Sequence, residues 1–457
     1  MDLIRVVVSK ILKTKYEDLS KQTVDMIKKL VIDTLGTTIA GSSAEGSKEL
    51  VDLIKGWGGR EESTILVYGG KVPSPNAVLV NCTMARALDL DDVHESGGGH
   101  LAATFVPTAF VLAEYFQKPI NGKELILAIA VGSDLSCRLR CALTTYKGWL
   151  AETFAPFGVV AMGGKIIGFD EERMINGMGL AYSQCSTNLQ ANVDGALSVR
   201  LQQGMGAKAG VLATILAERG FTGAKNVLQG VYGFYPLYAR NEYDPKVITD
   251  QLGERFEILN TSLKPYPSCK YTHNAIYAIL EILRKHNVEP ETIHRISVFT
   301  NSKAYNVAGC GENKYRPQNI VEAQFSIPYT VAVAAVNRKV FIDDFKKESI
   351  GKNEVLEIAN KVRVEIDPEI DKMPGLTATT RVELETESGE KYSEHVEFVK
   401  GHPNNPMTMD ECVEKFMECA RFSARPMDRD KINEAIRLIC RLEEIDDVRK
   451  IVRLLVA

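Results

Sequence analysis

Residues 87–107, ALDLDDVHESGGGHLAATFVP, set three carboxylates (Asp89, Asp91, Asp92) and two imidazoles (His94, His100) beside three consecutive glycines, Gly97 to Gly99. Acids and imidazoles are the side chains that exchange protons most readily near neutrality. Glycines let backbone and ligand approach closely. Three chemistries share these residue types: a proton-transfer site, a structural charge cluster and a metal site. Asp91 and Asp92 could simply charge the first turn of the following helix, where negative charge is favoured. Carboxylate and imidazole are also good metal ligands. Neither an HExxH pattern nor a Cys/His zinc spacing occurs, so no metal is expected.

Two further segments carry charge where the sequence is otherwise apolar. In LQQGMGAKAG, residues 201–210, Lys208 is the one charged group at a small, apolar helix start. A buried ammonium needs an anion; the competing reading is a side chain that snorkels to solvent. The GxG in this segment is a weak signal, because no strand precedes it. In LKPYPSCKYTH, residues 263–273, two prolines stiffen a loop that holds Lys264, Cys269, Lys270, Tyr271 and His273 just before a helix. Cations beside a helix N-terminus can share an anion with it, which suggests carboxylate binding. Thr272 as an N-cap explains part of the motif but not the lysines.

These groups must be positioned by larger elements. Between Ser20 and Ala40, Val24, Ile27, Leu30, Val31, Leu35 and Ile39 recur at helical spacing, and Gly41 ends the run. Similar patterns cover 76–88, 102–116, 122–143, 157–167, 171–183 and 205–219. Several are rich in Ala and Gly and poor in charge, as in helices buried on most sides. After Leu263 the pattern changes. Residues 295–300 and 361–367 read as strands, and 380–386 with 391–399 as a hairpin around ESGE. Helical stretches at 274–286, 326–336 and 352–361 lie between them. The fold class expected is mostly α with a smaller α+β domain. Residues 1–262 form a large all-helical domain and 263–399 an α/β lid domain. Residues 400–457 are helices that return to the first domain.

The chain has 457 residues, 45% hydrophobic and 25% charged, with a formal net charge of -4. That composition is globular and argues against a general nucleic-acid surface. The amphipathic N-terminus lacks the apolar core and cleavage site of a signal peptide. No apolar run reaches the ~18 residues of a membrane span. Nine scattered cysteines contain no CxxC pair, which fits a reduced, cytoplasmic setting. Cys137 and Cys141 share a helix face, where a structural apolar role is expected ahead of metal binding. Weakly charged helices too numerous for one domain surface to solvate predict a homodimer.

Five segments occur in order: ALDLDDVHESGGGH, FGVVAMGGKIIGFD, RLQQGMGAKAGVLATILAERGFTG, KPYPSCKYTHNAI and FSIPYTVAVAAV. Together they closely resemble the MmgE/PrpD family, which includes 2-methylcitrate dehydratase, cis-aconitate decarboxylase and iminodisuccinate epimerase. The likeness runs from Tyr16 to about Gly401. It implies a helical domain with a smaller lid, a dimer, no cofactor, and a lyase working on a small polycarboxylate, with a dehydratase foremost. By motif, Asp89 and His100 match catalytic groups, with Asp89 orienting His100 or acting as its partner. Lys208 and Lys264 match lysines that hold substrate carboxylates, and Tyr329 matches a lid tyrosine. Asp92, Cys269 and His273 fall beside these as substrate-binding candidates. The sequence departs from the family pattern at Val93, Leu150 and Cys269, where polar residues are common. The same carbanion chemistry would serve an epimerase or a decarboxylase, and a non-catalytic binding protein on the enzyme fold is the alternative of a different class.

Overall fold

The computed structural model describes residues 2–145, 148–373 and 379–457. Two hydrophobic cores organise it. The first gathers helices Lys21–Gly41, Ser74–Arg86, Leu101–Tyr115, Gly122–Cys141, Ala155–Ile167 and Ser198–Glu218. Its longest helices are apolar around most of their circumference, so each is surrounded by others rather than laid on a surface. Close packing of Ser198–Glu218 on Ser74–Arg86 and on Ala155–Ile167 forms its centre. The C-terminal helices Met409–Ala420 and Arg429–Cys440 rejoin this core, the former against Lys21–Gly41. Val456 bridges back to Val67.

The second core lies beneath a four-stranded sheet in the order 362–366, 293–300, 380–386, 391–396. The first pair is parallel and the other two antiparallel. Val382 and Leu384 point into the core while Arg381 and Glu383 point away, the alternation of a sheet covered on one face. Helices His273–His286 and Ile327–Asn337 cover that face. The expected hairpin is present, with Thr380 opposite Val396 and Glu385 opposite Lys391.

The helical part is not free of strands. Ser63–Thr64 pairs with Lys71–Val72, and Val93–His94 pairs antiparallel with Thr261–Ser262. The second ribbon was hidden in the sequence because two-residue strands carry no periodicity. It matters most here, because it draws Leu263 and Lys264 alongside the acidic cluster. Among the described residues no helix is long and apolar enough to cross a membrane.

Candidate active site

Helix Ser74–Arg86 ends with Arg86 turned inward, and the chain then passes through Asp89 with a left-handed φ of 53°. Such a φ is uncommon outside glycine, and Asp89 is held there by its neighbours. Arg86 Nη1 donates to Asp89 Oδ1 at 2.5 Å and lies 3.5 Å from Asp91 Oδ1. Lys264 Nζ donates to the Asp89 carboxylate at 2.7 Å and to its carbonyl at 3.0 Å. All four side chains are buried. Burial alone would raise the Asp89 carboxyl, but Arg86 and Lys264 hold it well below the usual carboxylate range. Asp91 is also lowered: burial opposes, while Arg86 and His100 prevail.

Beyond the Val93–His94 strand, Gly98 takes a φ of 67°, which a side chain would resist. His94 N–H donates to Gly99 O and Gly98 N–H to His94 O, both at 2.8 Å. This tight loop delivers His100 to the start of helix Leu101–Tyr115. The backbone of His100 is fixed on both sides: Gln203 Nε2 donates to its carbonyl at 2.8 Å, and its N–H reaches Glu152 Oε1 at 3.4 Å. Its Nδ1 lies 2.7 Å from the Asp92 carbonyl oxygen and 3.0 Å from Asp91 Oδ2. Two acceptors there require a proton on Nδ1. That N–H is aligned with the carbonyl, leaving Asp91 Oδ2 in close electrostatic contact without a hydrogen bond. Nε2 is left, among the described residues, without a partner.

Two sequence assignments change. Asp91 and the Asp92 carbonyl orient His100, whereas Asp89 is spent on Arg86 and Lys264. The Asp92 carboxylate is spent too. Its oxygens accept from Ala102 N–H at 3.0 Å and Ala103 N–H at 3.2 Å, capping the helix it precedes. Burial and then Asp91 push that carboxyl up to about 7. The structural reading of an acid at a helix start therefore holds for Asp92, whereas Asp91 faces Arg86 and His100 instead.

The proline-stiffened loop also divides. Lys264 and the buried Cys269 belong to the cluster; burial and the nearby Asp89 raise the Cys269 thiol to about 11. Lys270 donates to Ser262 Oγ at 3.1 Å and lies 3.5 Å from Glu95; burial lowers its ammonium to about 8. His273 is fully buried with Nε2 against Ser268 O at 3.1 Å. Burial, Lys270 and Lys264 hold it far below its ordinary value, so it stays neutral. Thr272 does not cap the helix; its hydroxyl donates to Cys269 O at 2.9 Å.

Lys208 and Tyr329 are not brought to His100. Lys208 lies on the partly exposed face of Ser198–Glu218 with Leu201 and the exposed Met205, roughly 140° around the helix from Gln203. That is the snorkelling outcome. Tyr329 is sealed in the second core, its hydroxyl donating to Asp344 O at 2.6 Å.

The helix that misplaces Lys208 contributes a different cation. Arg200, buried on the inner face, donates through Nη2 to Gln324 Oε1 at 2.9 Å, while its Nη1 is buried with no partner. Burial, and then the neighbouring Arg86, lower its pKa to about 10. A guanidinium so perturbed is short of an adjacent anion. Gln324 in turn donates to Leu88 O at 2.7 Å and Pro267 O at 3.1 Å, tying both cores to one point. Sequence reading missed Arg200, Gln203 and Gln324. The only available signal was the helix starting at Ser198 rather than near Met205.

Asp89, Asp91 and His100 are close enough to share a metal ion, but the donor set does not suit one. Both carboxylates already face Arg86, and Lys264 stands beside Asp89, so a divalent cation would enter against two fixed positive charges. The 850 Å³ cleft lined by Glu312, Arg316 and Arg363 shares no residue with the cluster.

Residues 6–246 match the family model described as the MmgE/PrpD N-terminal domain, and residues 266–439 the MmgE/PrpD C-terminal domain. The chain is similar to a cis-aconitate decarboxylase of Aspergillus terreus, 24% identical over 96% of this chain and 93% of the relative. It is similar to those of Mus musculus, 25% over 94% and 88%, and Homo sapiens, 24% over 96% and 92%.

Proposed function

The chain belongs to the MmgE/PrpD family, and from that premise we propose that it is a lyase acting on a small di- or tricarboxylic acid. More closely, we read it as a hydro-lyase of the 2-methylcitrate dehydratase kind. The state of His100 carries this reading. With Nδ1 committed to the Asp92 carbonyl, the unpartnered Nε2 is the cluster's one imidazole nitrogen free to take a proton. Arg200 supplies the complementary half. A substrate carboxylate would satisfy its orphaned Nη1 and gain a buried cation to absorb charge as the adjacent carbon is deprotonated.

In that scheme His100 Nε2 takes the proton from the carbon next to the bound carboxylate, giving an aci-carboxylate. The C–O bond at the neighbouring carbon then breaks, and the hydroxyl departs as water with the proton from Nε2. Neither His273 nor Tyr329 is needed as an acid. Lys264 acts through Asp89, fixing the turn that leads to Asp91. The relatives' activity as cis-aconitate decarboxylases favours a second reading, in which carbon dioxide leaves and the carbanion takes a proton that His100 Nε2 has first drawn from water. Against it stand Val93, Leu150 and Cys269, the three positions at which this sequence lacks polar residues common in the family.

We also read the working form as a homodimer. Val193, Met205, Val231, Tyr232 and Leu237 are exposed large apolar side chains, and apolar surface is normally covered where such side chains adjoin. The test of function is proton NMR in deuterated water against a panel of 2- and 3-hydroxy polycarboxylic acids. Water loss or addition supports the hydro-lyase, loss of one carbon the decarboxylase, and inversion with deuterium uptake an epimerase. No reaction and no exchange across the panel would remove the lyase and leave a binding protein on this fold.

A further inference from the structure

A second cluster of reactive groups lies just behind the glycine loop and takes no part in the chemistry above. His94 is fully buried and is flanked by Cys137 and Cys141, which sit four residues apart on helix Gly122–Cys141. The two sulfurs are 3.7 Å apart, and Cys137 Sγ is 3.3 Å from the His94 ring nitrogens. All three groups offer ligand atoms within 4.8 Å of one another. A buried imidazole beside two thiols goes beyond the apolar packing expected of these cysteines. Cys141 is partly exposed, so the group can be reached from solvent.

We propose that His94, Cys137 and Cys141 form a site for a thiophilic divalent cation, zinc foremost. The spacing suits one. Tetrahedral zinc with Zn–S bonds of about 2.3 Å holds two sulfurs about 3.8 Å apart, close to the separation already present. Two sulfurs and an imidazole form a soft donor set, and they leave a fourth position for water. His94 is in the right tautomer, because Nδ1 accepts from Gly97 N–H at 2.8 Å while Nε2 faces the Glu257 carbonyl at 3.1 Å. Room is provided by Gly97: a Cβ there would sit 3.2 Å from His94 Nδ1 and 3.3 Å from Cys141 Sγ.

On binding, each thiol releases its proton to water as a sulfur–metal bond forms, and Nδ1 exchanges the Gly97 N–H for the ion. The ion would fasten the loop between His94 and His100 to helix Gly122–Cys141. Its role is therefore to brace the loop, and no catalytic step passes through it.

The experiment uses the full chain kept reduced, titrated with cadmium and separately with zinc. Expected are a thiolate-to-cadmium charge-transfer absorption saturating at one ion per chain, and one zinc retained after desalting. X-ray absorption at the zinc edge should show two sulfurs and one nitrogen. The pair Cys137→Ser with Cys141→Ser should lower retained zinc at least tenfold, whereas Cys310→Ser, at a distant thiol, should not. The absorption band is read on the unmodified protein, so misfolding of the variant cannot hide the answer. No band, an oxygen-only shell, or equal zinc retention by the double variant would overturn the proposal. So would a disulfide between Cys137 and Cys141 that persists in the reductant.

Discussion

His100 and Arg200 divide the work of the site between a proton carrier and an anion holder, and they predict different losses. His100→Gln should cut turnover on the order of 10²–10⁴-fold, the usual contribution of a positioned acid–base group, with substrate binding little changed. Arg200→Gln should instead raise the half-saturating substrate concentration roughly ten- to a hundredfold, from a lost charge-assisted hydrogen bond of about 1.5–3 kcal/mol. Lys208→Ala should stay within about twofold of the parent, since surface changes away from special features matter little. Steady-state kinetics on the substrate found in the panel separates all three. Asp92 adds a pH prediction. Its folded pKa is raised to about 7 from 3.8, so the folded state binds more protons than the unfolded one between those values. That contribution is fully present below pH 3.8 and is lost as pH rises through about 7. Asp92→Asn keeps a carbonyl oxygen for the Ala102 and Ala103 N–H groups and removes the titration. Denaturant melts from pH 4 to 8 should show the variant gaining on the parent as pH rises. A constant difference would show that Asp92 does not titrate in this window. At this scale Asp89, Asp91 and His100 were legible as one segment, because their types are rare together, while Lys264 and Cys269 stood in a second segment that only the family resemblance joined to the first. Arg200, Gln203 and Gln324 were not, since each is an ordinary polar residue until partners more than 50 positions away are known.

Helices and ribbons set the distances. Ser198–Glu218 crosses Ser74–Arg86 so closely that a methyl at Gly204 would collide with the Leu79 carbonyl. Gly204→Ala should therefore destabilise by about 1–3 kcal/mol, as overpacking does, and reduce activity by shifting Gln203 away from the His100 carbonyl. Urea midpoints and turnover measured together would check this; a lower midpoint with unchanged turnover would uncouple the helix from the site. Long helices and the hairpin could be read from periodicity to within a few residues. The seven residues before Met205 could not, and with them went the face that carries Arg200 and Gln203. Lys208 drew attention for a sound reason, a charge in an uncharged helix, but periodicity does not say which side of a helix faces inward. The pairing of Val93–His94 with Thr261–Ser262 spans more than 160 positions and left no local trace.

At the scale of the whole molecule, two cores meet at the acidic turn, the proline loop and Gln324, so the site is made by both and by neither alone. The exposed apolar side chains, Met205, Val231 and Tyr232 among them, predict a dimer mass by light scattering at micromolar concentration; a strictly monomeric mass would refute it. The central claim is that His100 Nε2 removes a proton beside a bound carboxylate. The most direct measurement is solvent deuterium entering that carbon, followed by proton NMR for the parent and for His100→Gln under saturating substrate. The account predicts exchange at or above the turnover rate for the parent and none beyond background for the variant, which still binds. Full exchange by His100→Gln, or turnover by the parent with that hydrogen never leaving its carbon, would contradict it.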